Sequence, residues 1–138
     1  MLIESPLQEN HPHPRAAIYI NNRIIPPNSY QTLQFPSRDV IMIERLNTDG
    51  NYAMLLINIY NTKNTPLINN LSEFIQTNSQ QRKYGKIARV GDFNLYYPLW
   101  NPAEYQRHDM EAEDLIALMA ANELKPHPTP QHNHLPTI

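Results

Sequence analysis

Thirteen prolines against three glycines in 138 residues constrain this chain more than any other feature. Proline fixes φ and removes a backbone donor, so it ends helices and stays out of central strands. At about 9% of the sequence it is nearly twice as frequent as usual, and regular structure must fit between the interruptions. With so few glycines, turns that need a left-handed residue must draw on asparagine, which is abundant. The remainder suffices for a packed core, because 41% of residues are hydrophobic and only 17% charged.

Several classes are excluded at once. Cysteine is absent, which removes disulfide scaffolds, thiolate zinc sites and cysteine nucleophiles. No window approaches 18 consecutive apolar residues, so no membrane span is expected. The opening MLIESPLQEN lacks a basic stretch followed by an apolar one, so no secretory signal is expected. A net charge of −2 gives no global pull toward nucleic acid, and such a role would need a local basic face. Composition therefore predicts a soluble, intracellular, single mixed domain.

The order of segments adds detail. Residues 1–14 are polar and Pro-rich, with HPHP at the end, and read as an extended N-terminal arm that includes His11 and His13. Ala16 to Ile20 is a short apolar run closed by Asn21-Asn22, and Pro26-Pro27-Asn28-Ser29 is a second break. Asp39 to Leu46 (DVIMIERL) reads as a strand, and Asn47-Thr48-Asp49-Gly50 carries hairpin-like turn chemistry. Tyr52 to Tyr60 (YAMLLINIY) is the most hydrophobic stretch and suits a strand covered on both faces.

A helix follows, with Thr65 as cap, Pro66 in its first turn, and Leu67, Leu71, Phe74 and Ile75 on one face. Lys86 to Asn94 reads as a strand running into a loop. Asp109 opens a second helix, with Ala112, Leu115, Ile116 and Met119 on one face and Glu111, Glu113 and Asp114 outward, where early acidic residues complement the helix dipole. From Lys125 the chain is Pro- and His-rich and reads as irregular, so His127, His132 and His134 are taken as linker. Strands that precede and flank a helix, without strict alternation, predict an α+β chain with a mixed sheet and helices outside it.

Chemistry is expected where polar side chains interrupt buried strands at their ends. Asn58 and Tyr60 lie two apart and share one strand face, as do Asp92 and Asn94. If the strands are neighbours, Tyr60, Asp92 and Asn94 converge. A carboxylate, an amide and a phenol together suit phosphate-ester chemistry. The same spacing equally describes an Asx turn at Asp92 and Asn94 beside a tyrosine that rims the core. Arg82, Lys83, Lys86 and Arg89 gather four of the 11 basic residues, which read as a solvated loop before a DNA contact. Trp100, with Pro98 and Pro102, reads as packing.

GDFNLYYPLW (Gly91 to Trp100) resembles the GDFN signature of the DNase I-like endonuclease/exonuclease/phosphatase superfamily. Within it, the likeness is to the endonuclease domains of LINE-type (non-LTR) retrotransposons, particularly fungal ones. RAAIYIN (Arg15 to Asn21), RDVIMIE (Arg38 to Glu44), INIYN (Ile57 to Asn61) and PLWNPAEY with its following helix resemble further segments of that family in order. The likeness covers residues 15–124.

The resemblance implies a partial four-layer α/β/β/α sandwich, truncated at both ends, with residues 15–124 as its central part and 125–138 an irregular end. It implies a metal-dependent phosphodiesterase that nicks DNA using Mg²⁺ or Mn²⁺. Asp92 would orient water and help hold the metal, Asn94 and Tyr60 would contact the phosphate, and Asn58 would support them. The partners implied are the DNA phosphodiester backbone and, in full-length family proteins, a reverse transcriptase domain, with a nuclear site of action and no membrane.

Departures accompany the matches. The family's Gln-Glu-Pro is imitated by Gln8-Glu9 with Asn10 in place of proline, too close to Arg15, so Glu9 is not read as the metal glutamate. Asn133-His134 imitates the family's closing Ser-Asp-His with the wrong spacing, so His134 is not read as the catalytic histidine. Tyr96-Tyr97 stand where relatives carry histidines, and Arg89 charges a strand the family keeps apolar. A catalytically dead remnant, or a phosphate- or DNA-binding fragment, is the alternative to an active nuclease. Missing strands would leave apolar surface bare around Tyr52 to Tyr60 or Ile18 to Ile20.

Overall fold

Two sheets and two α-helices form this mixed α+β chain in a computed structural model that describes residues 1–6, 13–63, 65–99, 101, 104 and 106–121. Met1–Asn94 and Leu95–Ile138 are two compact units. In the first, β1 (Leu2–Glu4) and β2 (Ala17–Tyr19) make a two-stranded antiparallel sheet. A second sheet has the order β3 (Tyr30–Leu33), β4 (Val40–Leu46), β5 (Tyr52–Tyr60), β6 (Lys86–Asp92). Its first two pairings are antiparallel, and β5–β6 is parallel.

The β4–β5 hairpin closes where the turn chemistry sits. Asn47 N–H donates to Asn51 O at 2.8 Å, Gly50 N–H to Asn47 O at 2.9 Å, and Gly50 adopts φ +79°. Parallel β5 and β6 require a crossover, which α1 (Leu67–Gln81) supplies. Its buried Leu67, Leu71 and Ile75 recur at helical spacing and join Val40, Met42, Leu55, Ile57, Ile59 and Phe35 in one core. Phe74 meets Phe35 edge-to-face at 5.2 Å. Each such aliphatic side chain stabilises the fold by about 1.5–3 kcal/mol, so this seam holds the two parallel strands in place.

On the opposite sheet face, Ile41 and Ile43 are buried, and the β1–β2 pair and its flanking residues are tied on by polar contacts. Arg15 N–H donates to Arg38 O at 2.9 Å, Asn58 Nδ2 to Ala17 O at 2.8 Å, and Ser5 Oγ to Arg38 O. At the far end of the sheet, wholly buried Glu44 accepts hydrogen bonds from Gln31 Nε2 (2.7 Å), Arg82 NH1 (2.8 Å) and the Tyr84 hydroxyl. Three donors satisfy a carboxylate that burial alone would make costly.

Several sequence expectations are corrected. The N-terminal arm begins as a strand, because Leu2 to Glu4 pair with Ala17 to Tyr19 and the Met1 ammonium donates to Ile20 O at 2.6 Å. Strand β3 follows a single 3₁₀ turn at Pro27–Ser29, although its alternation is too short to read. Thr65 does not cap α1: its hydroxyl donates to Thr62 O at 2.7 Å, and Pro66 itself occupies the cap position. The Tyr52–Tyr60 strand is not bare, since Leu55, Ile57 and Ile59 are buried. Exposed apolar groups in this unit include Tyr60 and, within the Ile18 to Ile20 stretch where bare surface is expected, Tyr19, together with Leu2, Ile24 and Val90.

In the second unit, α2 (Glu111–Ala121) begins two residues after Asp109, with Glu111, Glu113 and Asp114 in its first turn. The Asp109 carboxylate accepts from Tyr96 N–H at 3.0 Å, and Asp109 N–H donates to Tyr96 O at 2.8 Å. Ala112 and Leu115 are buried as expected, joined by Leu118, while Ile116 and Met119 are half-buried. His11, Trp100, Pro102 and residues 122–138, with His127, His132 and His134, lie outside the described residues.

Candidate functional site

The carboxyl ends of β5 and β6 are held together by a glycine that no other residue could replace. Gly91 pairs with Ile59 and adopts φ +123°; a Cβ there would lie 2.0 Å from Ile59 O and 2.8 Å from Ile59 N. That close approach places the next pair, Tyr60 and Asp92, directly opposite each other in register. Partners in register project from the same sheet face, so phenol and carboxylate share one end of one face. Tyr60 is 37% exposed, and its hydroxyl has no partner among the described residues.

Beyond Asp92 the chain turns sharply. Asn94 takes the left-handed conformation, φ +51°, supplying the conformation that glycine elsewhere would. Its N–H donates to Asp92 Oδ1 at 2.9 Å, which is an Asx turn. Its side-chain Nδ2 donates to Asn61 O at 2.8 Å. The Asx turn is thus present, and it begins at the strand end where Asp92 meets Tyr60 in register. Asp92 keeps Oδ2 uncommitted, and Asn94 keeps Oδ1 and its second amide hydrogen.

Asn61, only 1% exposed, clamps this loop. Its N–H donates to Asp92 O at 2.8 Å and its Nδ2 to Phe93 O at 2.8 Å, while its Oδ1 has no partner. Asn58, on the same strand face as Tyr60, donates Nδ2 to Ala17 O and so ties β5 to β2.

Arg15 completes the neighbourhood. Its guanidinium lies 4.7 Å from the Tyr60 ring centroid and grips Asp39 through two bonds, Nε to Oδ1 at 2.6 Å and NH2 to Oδ2 at 2.7 Å. NH2 also donates to Thr62 Oγ1. Hydrogen bonding to Asp39 holds the guanidinium above its ordinary pKa, against the opposing effect of burial. Arg38 Nε stands 3.8 Å from the same carboxylate.

The arrangement offers hydrogen-bond donors from Tyr60 and Asn94 to phosphoryl oxygens and an exposed carboxylate from Asp92 that can orient or deprotonate water. Among the described residues at this end, Asp92 Oδ2 is the carboxylate oxygen left for a divalent cation, whose remaining ligands would be water and phosphate. Magnesium requires near-octahedral oxygen ligation, yet no group of three acidic or histidine side chains gathers among the described residues. Asp39, the nearest further carboxylate along these strand ends, is taken by Arg15. Glu9 and His134 lie outside the described residues.

Of the basic stretch, Lys83 and Lys86 are exposed as expected, whereas Arg82 and Arg89 are drawn inward. Arg82 is paired with Glu44 at 2.8 Å, and all three guanidinium nitrogens of Arg89 are buried without a partner. Burial pushes the Arg89 pKa down. Sequence reasoning found Tyr60, Asp92 and Asn94 by parity but missed Arg15, Asp39 and Asn61. Asn61 was the recoverable one, since a polar residue closing a nearly continuous apolar strand invites a role. No family model matches the chain, and no curated protein or solved structure is significantly similar to it.

Proposed function

We propose that this chain is the central part of a DNase I-like endonuclease domain of the retrotransposon type, and that the β5–β6 end is the face it turns to a DNA phosphodiester. The observation that carries this reading is the direct pairing of Tyr60 with Asp92, with Asn94 held in the left-handed turn one residue beyond Phe93. The Tyr60 hydroxyl and the free Asn94 amide hydrogen donate to non-bridging phosphate oxygens. Asp92 Oδ2 accepts a proton from an attacking water.

Binding exceeds turnover in this reading. In-line attack builds negative charge on the phosphoryl and leaving oxygens, and Tyr60 and Asn94 answer it only with neutral donors. Losing one well-placed oxyanion donor costs about 10²–10³ in rate, and the family's metal and histidine would supply more than one. The test pairs fluorescence anisotropy on a short DNA duplex with nicking of supercoiled plasmid in Mg²⁺ or Mn²⁺, wild type beside Asp92→Ala. Measurable binding with nicking near background is expected. Failure to bind DNA at low salt would refute the reading. Fast nicking abolished by Asp92→Ala would refute its binding-only half.

A further inference from the structure

Arg15 is more elaborately fixed than a surface ion pair requires. One edge of its guanidinium is locked bidentate on Asp39, NH2 is shared with Thr62, and the group lies over the Tyr60 ring. The remaining nitrogen, NH1, has no partner among the described residues, and the Arg15 side chain is 28% exposed. A guanidinium carries five donors in a rigid fork, so one committed edge leaves NH1 and its hydrogens oriented and available. The local charge also favours an anion. Arg15 and Arg38 share the single carboxylate of Asp39, leaving one net positive charge among the three.

Resting on the functional reading above, we propose that Arg15 NH1 is a second phosphate-binding group, holding a non-bridging oxygen of a DNA backbone phosphate next to the Tyr60 hydroxyl. Asp39 and Thr62 are positioning residues for it: they set the guanidinium plane so that ring and fork present side by side. The stacking works in both directions, because the cation also fixes the Tyr60 ring against rotation. Asp92, register-paired with Tyr60, would repel a phosphate if it stood alone. The net positive charge of the Arg15–Asp39–Arg38 group is what lets a phosphate approach.

The experiment is a salt titration of duplex binding by anisotropy, in EDTA, for wild type, Arg15→Met and Arg15→Lys. Each phosphate neutralised contributes about 0.9 to the slope of log K against log salt for B-DNA. Arg15→Met should reduce the slope by about that amount, while Arg15→Lys keeps the slope and loses affinity through its poorer fork. A purely structural role for Arg15 would weaken binding without changing the slope. Wild-type binding with an unchanged Arg15→Met slope overturns this inference alone. Absence of salt-dependent wild-type binding overturns the functional reading and this inference with it. Should Arg15→Met fail to fold, phenylglyoxal modification of the wild-type protein, mapped to Arg15 by peptide mass, decides the matter: protection by the duplex supports the contact, and modification undiminished by bound duplex overturns it.

Discussion

Gly91→Ala separates two costs that usually arrive together, the strain of positive φ and the collision of a new side chain. Gly50 provides the control. It also has positive φ, +79°, but a Cβ there meets nothing within 4 Å. Gly50→Ala should therefore cost only the left-handed penalty of about 1–2 kcal/mol. At Gly91 the backbone strain is of the same order or larger, about 1–3 kcal/mol. The collision is additional: the new Cβ would sit 2.0 Å from Ile59 O, well inside the 3.0 Å that real Cβ atoms respect.

That obstacle is backbone, so no rotamer change relieves it. Strand β6 must part from β5 at Ile59–Gly91, and the neighbouring Tyr60–Asp92 pair opens with it. Losing one or two ladder hydrogen bonds adds roughly 0.5–1.5 kcal/mol each. The sum is about 1.5–6 kcal/mol, a large share of the 5–15 kcal/mol typical of a domain. Urea unfolding followed by circular dichroism on wild type, Gly50→Ala and Gly91→Ala measures the difference. Gly91→Ala should lose about 0.5–3 kcal/mol more than Gly50→Ala, the worth of the one or two ladder bonds. Equal losses would show that β6 does not approach β5 as described and would remove the basis for the Tyr60–Asp92 pairing.

Two further outcomes follow from the buried charges. Arg89→Met should raise the urea midpoint, by roughly 1–3 kcal/mol of stability, because it removes a guanidinium whose buried nitrogens have no acceptor; a destabilised variant would show that Arg89 has a partner. Burial, then the hydrogen bond to Glu44, pushes the Tyr84 phenol up, so the folded state keeps that proton above the unfolded value of about 10. This contribution to stability is complete below that pH and is lost as pH rises above it. Tyrosinate absorbance should therefore show one phenol titrating late in wild type, and earlier in Glu44→Gln; identical curves would contradict the buried pairing.

Strands β4 and β5 were legible because an apolar run flanked by turn residues has one economical reading, a hairpin. The shared face of Tyr60 and Asp92 was legible by parity, but their register was not. It depends on how closely β6 approaches β5, and the glycine's φ is invisible in the sequence. Strands β1 and β3 were missed because three or four half-polar residues carry too little alternation to count. Thr65 was misassigned because the cap rule assumes its hydroxyl is free, whereas Thr62 O takes it. The solvated reading holds for Lys83 and Lys86 but not for Arg82, because Glu44, 38 residues before it, gives no local sign that it would bury itself and claim a cation.

In the proposed reading, electrostatics at the β5–β6 end would separate binding from turnover. At roughly 4 Å, two unit charges interact by about 1 kcal/mol in water and about 4 kcal/mol near a protein surface. Asp92 and the net charge of the Arg15–Asp39–Arg38 group, each of unit size, would act on an incoming phosphate with opposite sign, so a resting phosphodiester would meet opposed fields. The transition state differs from it by additional oxyanion charge, and opposed fields would give that increment little advantage over the ground state. Catalysis needs stabilisation that grows along the reaction. Here that growth is limited to two neutral donors, Tyr60 and Asn94, one of which already spends an amide hydrogen on Asn61 O. In the proposed reading, a surface so arranged would hold a DNA backbone more readily than it would cut one.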